Sequence, residues 1–385
     1  MDKHIPRHYD NLAAYKLPQH ATVIYGPRRI GKTTLVENYL SNNTRPTLRT
    51  TGDNIKTRII LGSQDLDQIL AWVKGYEVVF IDEAQQIPNI GLALKMLVDH
   101  CPNTEFIVTG SSSFDLFGQL GEPLTGRQTP LMMFPLSTSE LLTQYTNEYE
   151  LKQALESYLI YGNYPEVALA DTADQKRDLL STLTSSYLYK DILALDNVKS
   201  SSVINDLLQL IALQVGSEVS LNELANNLNI SVGTVSRYLD IFEKCFILYN
   251  LRGFSRNLRS EITRTSKYYF YDNGVRNAVI NNFNPLNMRN DTGALWENFL
   301  VMERLKARTY EKIYARDYFW RTWERKEIDL IEDRSGKLHA YEFKWSPRKT
   351  VKAPRQFTNA YPDASFTVIT PENFLDFVIP NQKET

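Results

Sequence analysis

A glycine-rich stretch near the start of the chain constrains the fold more than any other feature. A short run of β-branched and aromatic residues, 21–25, stops at Gly26, and a helical pattern begins after Gly31. With Lys32 and Thr33, the two glycines fit G-x-x-x-x-G-K-[ST], a loop whose backbone N–H groups surround phosphates. The positive end of the following helix would face the same anion. The sequence therefore predicts a nucleoside triphosphate site formed by Gly26, Pro27, Arg28, Arg29, Ile30, Gly31, Lys32, Thr33 and Thr34.

The expected ligands of this site are ATP and Mg²⁺. Lys32 would reach the β- and γ-phosphates, and the Thr33 hydroxyl would take one Mg²⁺ position. A buried run, 77–81, ends in Asp82 and Glu83, and acids at the carboxyl end of a parallel strand lie beside such a loop. Asp82 would hold Mg²⁺ through water, and Glu83 would polarise the attacking water as the catalytic base. A buried strand followed by an N-capped helix would show the same two letters.

Two further positions are candidates for sensing or stabilising the reacting phosphate. Another buried run, 104–109, ends in Thr109 and a Gly-Ser stretch. If its strand neighbours the one before Asp82, Thr109 or Ser111 could sense the γ-phosphate or the attacking water, although a simple Ser/Gly turn fits the same letters. Arg127 could neutralise charge in the transition state, within its own subunit or in a neighbouring subunit of a homo-oligomer, with the two loop arginines as rivals.

Length and composition limit the number of domains, the cellular location and the kind of partner that we expect. A chain of 385 residues is expected to form two or three domains. It contains no apolar run near the roughly 18 residues of a membrane span, so we expect a cytoplasmic protein with no membrane partner. Cys101 and Cys245 lie in separate apolar contexts and are expected to be free core residues. The formal net charge of −2 conceals a segment, 304–355, with 15 Lys and Arg against 8 Asp and Glu, which favours a polyanionic partner.

Residues 201–278 are predicted to form a winged helix-turn-helix. Helices at 221–228 and 232–242 are followed by strands at 245–251 and 267–271. The outward face of the second helix would carry Ser231, Thr234, Arg237 and Tyr238. The basic residues expected to contact DNA phosphates around the wing are Arg252, Arg256, Arg259, Arg264, Lys267 and Arg276. The open alternative is that the module packs between subunits or on neighbouring helices, with its basic residues solvated.

The C-terminal residues 290–385 carry acids in a pattern similar to the PD-(D/E)XK nucleases. A helix at 291–300 bears Glu297, and strands are predicted at 318–323, 327–331 and 338–345. Glu342 and Lys344 leave their strand on one face, and Asp329 lies across the predicted hairpin turn at 333–336. Glu297, Asp329 and Glu342 would hold a divalent cation, and Lys344 would position or activate a water. Ile328 stands where the nucleases carry another acid, and a structural salt bridge of Lys344 would explain the same letters.

Motifs along nearly the whole chain resemble a family of prokaryotic AAA-type ATPases with a C-terminal region of unknown function. In the phosphate-loop part they lie at 26–35, 80–85, 109–112, 126–127 and 134–137, and beyond it at 161–166, 189–192, 267–274, 296–299 and 342–344. The resemblance implies an α/β protein with a parallel-sheet AAA-type core at 1–137 and a helical lid at 138–200. It further implies a winged helix at 201–278 and a small restriction-endonuclease-like α/β domain at 290–385.

The leading functional prediction is an ATP-hydrolysing machine or switch that acts on nucleic acid, with DNA as the expected partner. Two alternatives stay open. One is an ATP-gated protein that docks another protein without cutting anything. The other is a nucleotide-regulated nuclease in defence or mobile-element control.

Overall fold

The computed structural model describes residues 5–111, 124–188, 201–254, 265–322, 324–346 and 351–379, with no side-chain description at 186–188 and 201. The described chain divides into two compact units. The first contains Pro6–Pro135 and Lys244–Phe246, and the second contains the other described residues from Leu136 onward. The first boundary therefore lies two residues before the predicted one at 137.

The first unit is a parallel α/β sheet. Its strands are β1 Ala21–Tyr25, β2 Thr47–Thr51, β3 Val78–Asp82, β4 Glu105–Gly110 and β5 Gln128–Met132. They lie in the order β2-β3-β4-β1-β5 and pair in parallel throughout. The helices between them are α1 Lys32–Ser41, α2 Ile55–Gly62, α3 Leu66–Val73 and α4 Ile90–His100. The carboxyl ends of all five strands consequently meet at one edge of the sheet.

The apolar runs of the sequence form the centre of this sheet. Val78–Ile81 of β3 are at most 2% exposed, and every residue of β4 is buried. Leu94 and Leu97 of α4 pack in the same core cluster as Val79 and Val108. Burial on both faces explains why these strands read as continuous apolar runs rather than alternating ones. The predicted strands before Asp82 and Thr109 are confirmed as neighbours.

The second unit combines helices with a mixed sheet. Its helices are α5 Thr138–Leu142, α6 Glu148–Tyr161, α7 Pro165–Leu169, α8 Ala173–Thr182, α9 Ser201–Leu213, α10 Leu221–Leu228, α11 Val232–Lys244, α12 Asn273–Val279, α13 Thr292–Tyr310, α14 Arg355–Ala360 and α15 Phe374–Val378. Its strands are β6 Glu218–Val219, β7 Leu248–Gly253, β8 Ser266–Phe270, β9 Arg316–Arg321, β10 Glu327–Arg334, β11 Lys337–Phe343 and β12 Ser365–Ile369. They form one seven-stranded sheet in the order β12-β11-β10-β9-β7-β8-β6. Among the helices that the structure describes, none is long and apolar enough to cross a membrane.

This shared sheet differs from the predicted division into a winged helix and a separate C-terminal domain. Strand β7, from the predicted winged helix, pairs in parallel with β9 of the tail, with Arg252 opposite Tyr318. A strand edge offers unpaired N–H and C=O groups, and β9 satisfies those of β7. Apart from Lys244–Phe246, the described residues of the predicted segments 201–278 and 290–385 therefore belong to one compact unit, as do those of the predicted lid.

Two local predictions hold within the second unit. Two helices and a short turn lie where they were predicted: Asn229, with a φ of 53°, ends α10, and the Ser231 hydroxyl accepts a 3.1 Å hydrogen bond from the Thr234 N–H at the start of α11. The tail hairpin is present as well, because β10 and β11 pair up to Arg334 opposite Lys337. Cys101 and Cys245 are not joined in a disulfide.

Candidate functional site

The phosphate loop leaves β1 in a conformation that requires glycine. Gly26 has a φ of +144°, and a Cβ there would lie 2.0 Å from the backbone oxygen of Met133. An L-residue cannot occupy that position without moving the end of β5. Gly31, with a φ of +91°, turns the chain directly into α1. The two glycines of the motif thus serve different purposes, one for close approach and one for backbone direction.

Lys32 lies inside this loop. Its side chain is buried, and Nζ donates hydrogen bonds to the Gly26 oxygen at 2.9 Å and the Pro27 oxygen at 2.6 Å. The ammonium is therefore held against the loop's own carbonyls, at the first turn of α1. A charge-assisted bond to a phosphate oxygen would be stronger than these contacts with neutral carbonyls.

Hydroxyl and carboxylate oxygens converge where α1, β3 and β4 meet. Thr33 Oγ1 lies 3.1 Å and 3.0 Å from the two carboxylate oxygens of Asp82. Thr109 donates a hydrogen bond to Asp82 Oδ1, and its own oxygen accepts one from the Glu83 N–H at 3.2 Å. Such oxygen donors suit Mg²⁺. The structure brings together Thr33, Asp82, Glu83 and Thr109, as the motif spacing predicts.

Glu83 is held by three neighbours. Its carboxylate accepts hydrogen bonds from the Gln85 amide and from Ser111 Oγ, the latter at 3.3 Å. Arg28 Nη1 lies 3.8 Å from its other oxygen. Of the rival arginines, Arg28 thus lies beside the expected catalytic base. Sequence reasoning missed Gln85, which is buried two residues after Glu83, because nothing in its local pattern indicates a partner.

Two further residues of this edge were not predicted. Gly52, after β2, donates its N–H to the backbone oxygen of Asp82 at 2.7 Å. A Cβ at this glycine would lie 2.2 Å from the backbone oxygen of Glu83. Arg7 donates from Nη2 to the Phe134 oxygen at 2.7 Å, and its Nη1 contacts the Ile30 oxygen of the loop. Each contact joins segments distant in sequence, so only the strand order could have indicated it.

The structure places Arg127 away from the loop. Its backbone oxygen accepts a 2.9 Å hydrogen bond from Ala21 N, at the start of β1, whereas the loop follows the end of β1. Its Nε pairs with Asp99 at 2.5 Å. Five residues of strand at about 3.3 Å each put it roughly 16 Å from the loop, further than an arginine side chain extends. This position favours the other half of the prediction, in which Arg127 acts in a neighbouring subunit.

The predicted acids of the tail lie in a partly buried charged cluster, which we call the tail cluster: Tyr269, Lys267, Glu297, Glu327, Asp329, Glu342 and Lys344. Glu297 on α13 accepts hydrogen bonds from Tyr269 OH at 2.6 Å and from Lys267 Nζ at 3.2 Å. Asp329 on β10 accepts one from the Phe343 N–H at 2.7 Å. Glu342 and Lys344 pair with each other at 2.6 Å.

Three carboxyl groups of the tail cluster, those of Glu297, Asp329 and Glu342, have raised pKa values. Burial raises the pKa of Glu297 to about 7, and the nearby charge of Asp329 adds to the effect. Burial also raises the pKa of Asp329 and that of Glu342, with Asp329 again contributing to the latter. The three predicted metal ligands are thus close enough to repel one another. Even so, within the described ranges no three or more His, Cys, Asp and Glu side chains are arranged to hold a metal ion.

The predicted DNA-binding residues divide into three groups. Arg237 on α11 and Arg252 on β7 are exposed, whereas Tyr238, predicted to face outward, is 6% exposed because it lies on the core face with Val235 and Leu239. Lys267 and Arg276, predicted around the wing, are 1% and 2% exposed and paired with acids. The positions that lie outside the described residues are Arg256, Arg259 and Arg264.

The basic segment 304–355 is also less available than its composition suggests. Arg304 and Arg308 are buried and both pair with Glu332, and Lys306 pairs with Glu303. These three cations neutralise internal acids, because buried charges are stable only when paired. Part of the local positive surplus is therefore structural and does not face a partner.

Comparison with known proteins agrees with the geometry of the first unit. Residues 18–142 match an AAA domain. Two models described as domains of unknown function match the second unit, DUF8612 over residues 152–286 and DUF4143 over residues 292–381. The first unit therefore resembles AAA-type ATPase domains in fold, loop and acids, and the matches to the second unit name no activity.

Similar proteins span much of the chain. An uncharacterized protein of Haemophilus influenzae is 28% identical over 70% of this chain and 71% of its own length. An uncharacterized protein of Mycobacterium tuberculosis is 26% identical over 84% of this chain and 69% of its own length. The Thermotoga maritima RuvB Holliday junction branch migration motor is 19% identical over 60% of this chain and 81% of that chain, with a TM-score of 0.30. A likeness at that level carries nothing about its action to this chain.

Proposed function

We propose that the first unit binds ATP with Mg²⁺ at the phosphate loop and hydrolyses it. The observation that carries the proposal is the 3.0 Å approach of Thr33 Oγ1 to Asp82 at the carboxyl edge of the sheet, next to the buried Lys32. A phosphate-binding loop, two oxygen ligands and a carboxylate base in one place are the parts that phosphoryl transfer to water needs. The match to an AAA domain supports the same reaction class.

The residues of the loop would act by binding and orienting. Lys32 would move its hydrogen bonds from the Gly26 and Pro27 oxygens to phosphate oxygens, where its charge is better matched. The Thr33 hydroxyl and Asp82 would hold Mg²⁺, which when bound offsets the charge on the β- and γ-phosphates. Thr109 fixes the Asp82 carboxylate through its hydroxyl.

Glu83 would accept a proton from the attacking water. In the structure its carboxylate is engaged by Gln85 and Ser111, with Arg28 nearby. Because a base must be within hydrogen-bond reach of the water, at least one of these contacts must loosen when ATP binds. Gln85 and Ser111 are therefore positioning residues in this proposal.

The test separates binding from turnover. We expect Lys32→Ala to abolish tight binding of a fluorescent ATP analogue, whereas Glu83→Gln keeps that binding and stops phosphate release. Lys56→Ala, a lysine exposed on α2, is the matched control and should behave like the parent. Equal nucleotide affinity in Lys32→Ala and the parent would overturn the assignment of the loop.

Action on nucleic acid is the finer part of the proposal and rests on the second unit. Two consecutive helices joined by a short turn, α10 and α11, support a helix-turn-helix reading, and Arg237 is exposed on the second of them. Duplex DNA should be retained in a salt-dependent way, because phosphate contacts release counterions, and Arg237→Ala should weaken retention. Lys337→Ala, exposed in the tail hairpin, is the control. Absence of DNA retention at low salt, with or without ATP, would favour the docking alternative instead.

A further inference from the structure

We propose that the ammonium of Lys267 takes the place of a divalent cation in the tail cluster, so that this cluster braces the second unit without metal and does not cut nucleic acid. The PD-(D/E)XK pattern implies a metal between Glu297, Asp329 and Glu342. The donors present in the structure do not fit one, because a positively charged side chain of the protein itself, Lys267, already pairs with Glu297 and with the neighbouring Glu327.

Lys267 is placed as an internal counter-ion. It projects from β8, is 1% exposed, and its Nζ pairs with Glu297 at 3.2 Å and also with Glu327. A lysine held in this way remains charged and stays among the carboxylates.

Each acid predicted to bind metal already has a donor of its own. Glu297 accepts from Lys267 and from Tyr269, Asp329 accepts from the Phe343 N–H, and Glu342 accepts from Lys344. A divalent cation would have to displace Lys267 into a low-dielectric interior, where an unpaired ammonium is costly.

The same contacts explain what the cluster does. Lys267 belongs to β8, Glu297 to α13 and Glu327 to β10, which are elements of the predicted winged helix and the predicted tail. Gly216 lies against Glu297 from a fourth segment, since a Cβ there would be 3.3 Å from its carboxylate. The ion pairs thus join segments that the sequence assigned to two domains.

The first test keeps Lys267 in place and is done without nucleotide. Mn²⁺ binding is titrated in the whole chain carrying Asp82→Asn, which removes the carboxylate of the first unit. It is then titrated in the same variant with Asp329→Asn added. We expect the second substitution to leave Mn²⁺ binding unchanged within about twofold, and neither protein to cut duplex or single-stranded DNA or RNA. A saturable Mn²⁺ site that Asp329→Asn weakens by at least about tenfold, which is about 1.4 kcal/mol, would overturn the proposal.

The second test removes the internal cation. In the Asp82→Asn background, we expect Lys267→Met to bind Mn²⁺ at least about tenfold more tightly than its parent, because the freed carboxylates seek a cation. Lys267→Arg, which keeps the charge, should show no such gain, and Asp329→Asn should abolish it. A folded Lys267→Met, checked by near-ultraviolet circular dichroism, that binds Mn²⁺ no better than its parent would contradict the proposal. If Lys267→Met does not fold, the first test, which compares Asp82→Asn with and without Asp329→Asn, decides alone.

Discussion

Thr33 Oγ1 lies 3.0 Å from Asp82 Oδ2, although 49 residues separate them in the chain. The contact joins the first turn of α1 to the end of β3, and no local sequence pattern requires it. It arises because parallel pairing brings the carboxyl ends of β1, β4 and β3 to one edge of the sheet. The two residues are the expected Mg²⁺ ligands, so their approach is where ATP chemistry can be tested first.

Replacement of Thr33 by alanine should raise the Mg²⁺ concentration that half-saturates ATP hydrolysis. One oxygen ligand is lost while Asp82 remains, and we expect a shift of roughly tenfold, about 1.4 kcal/mol. Thr33→Ser keeps the hydroxyl and is the matched control. The measurement is phosphate release across a Mg²⁺ titration. An unchanged Mg²⁺ dependence in Thr33→Ala would show that its hydroxyl is not a ligand.

Replacement of Gly26 by alanine should disrupt the loop itself. The new methyl group would meet the Met133 oxygen at 2.0 Å, at a φ of +144°. We expect a loss of at least about 3 kcal/mol in unfolding free energy, or local unfolding of the loop, with nucleotide binding lost in either case. Gly75 also has a positive φ, +90°, but nothing within 4 Å of its Cβ position. Gly75→Ala should therefore cost only about 1 kcal/mol and retain binding. Equal effects of the two substitutions would show that crowding at Met133 is unimportant.

The sequence predicts the first unit well because its information is local. The loop motif fixes β1, the glycine turn and α1 in one stretch, and the apolar run ending in Asp82 can only be a buried strand. The side-chain contacts of Glu83 were not predictable in the same way. Gln85 contacts the Glu83 carboxylate through its side-chain amide, and the Gly52 N–H bonds the Asp82 backbone oxygen, and neither contact has a local sequence signature.

The second unit shows why the rest escaped prediction. The sequence indicates β7 and β9 correctly as strands, but their pairing joins residues far apart in the chain and has no local signature. Because this pairing was unknown, Lys267 was expected in an exposed basic wing, whereas the structure buries it beside Glu297. The residue type alone does not distinguish these two environments. Tyr238 was placed outward for a similar reason. The helical period was right, but the core that α11 packs against was unknown.

Arg127 is expected to act across a subunit boundary. The structure holds it at the opposite edge of the sheet from its own loop, with its side chain 38% exposed. In mixed oligomers, Arg127→Ala subunits combined with Glu83→Gln subunits should recover ATP hydrolysis at sites where an intact Glu83 meets an intact Arg127. The readout is turnover as a function of mixing ratio, with mixed assembly verified by tagged subunits.

A control separates this role from a structural one. If Arg127 serves only to hold Asp99 through their ion pair, Asp99→Asn should lower turnover as much as Arg127→Ala does. We expect Asp99→Asn to retain most of the turnover, since a half-exposed pair contributes at most about 1 kcal/mol. No recovery in verified mixed oligomers would count against the shared site.

Asp291 should make the second unit more stable above pH 4 than below it. It pairs with Arg276 at 2.5 Å and with Arg289 at 2.8 Å. Burial alone would raise its pKa, but the hydrogen bonds and charges of the two arginines outweigh burial and lower the pKa from 3.8 to about 2. The folded state thus releases the proton more readily than the unfolded state. The ion pair's contribution, about 2 kcal/mol, is present above pH 3.8 and is lost as the pH falls toward about 2.

Urea unfolding of the parent and Asp291→Asn at several pH values should therefore show a stability difference that shrinks as the pH falls from about 4 to about 2. Asp363→Asn, at an exposed carboxyl, should show no such trend. A difference that stays constant over this range would mean that the arginines do not stabilise the charged form of Asp291.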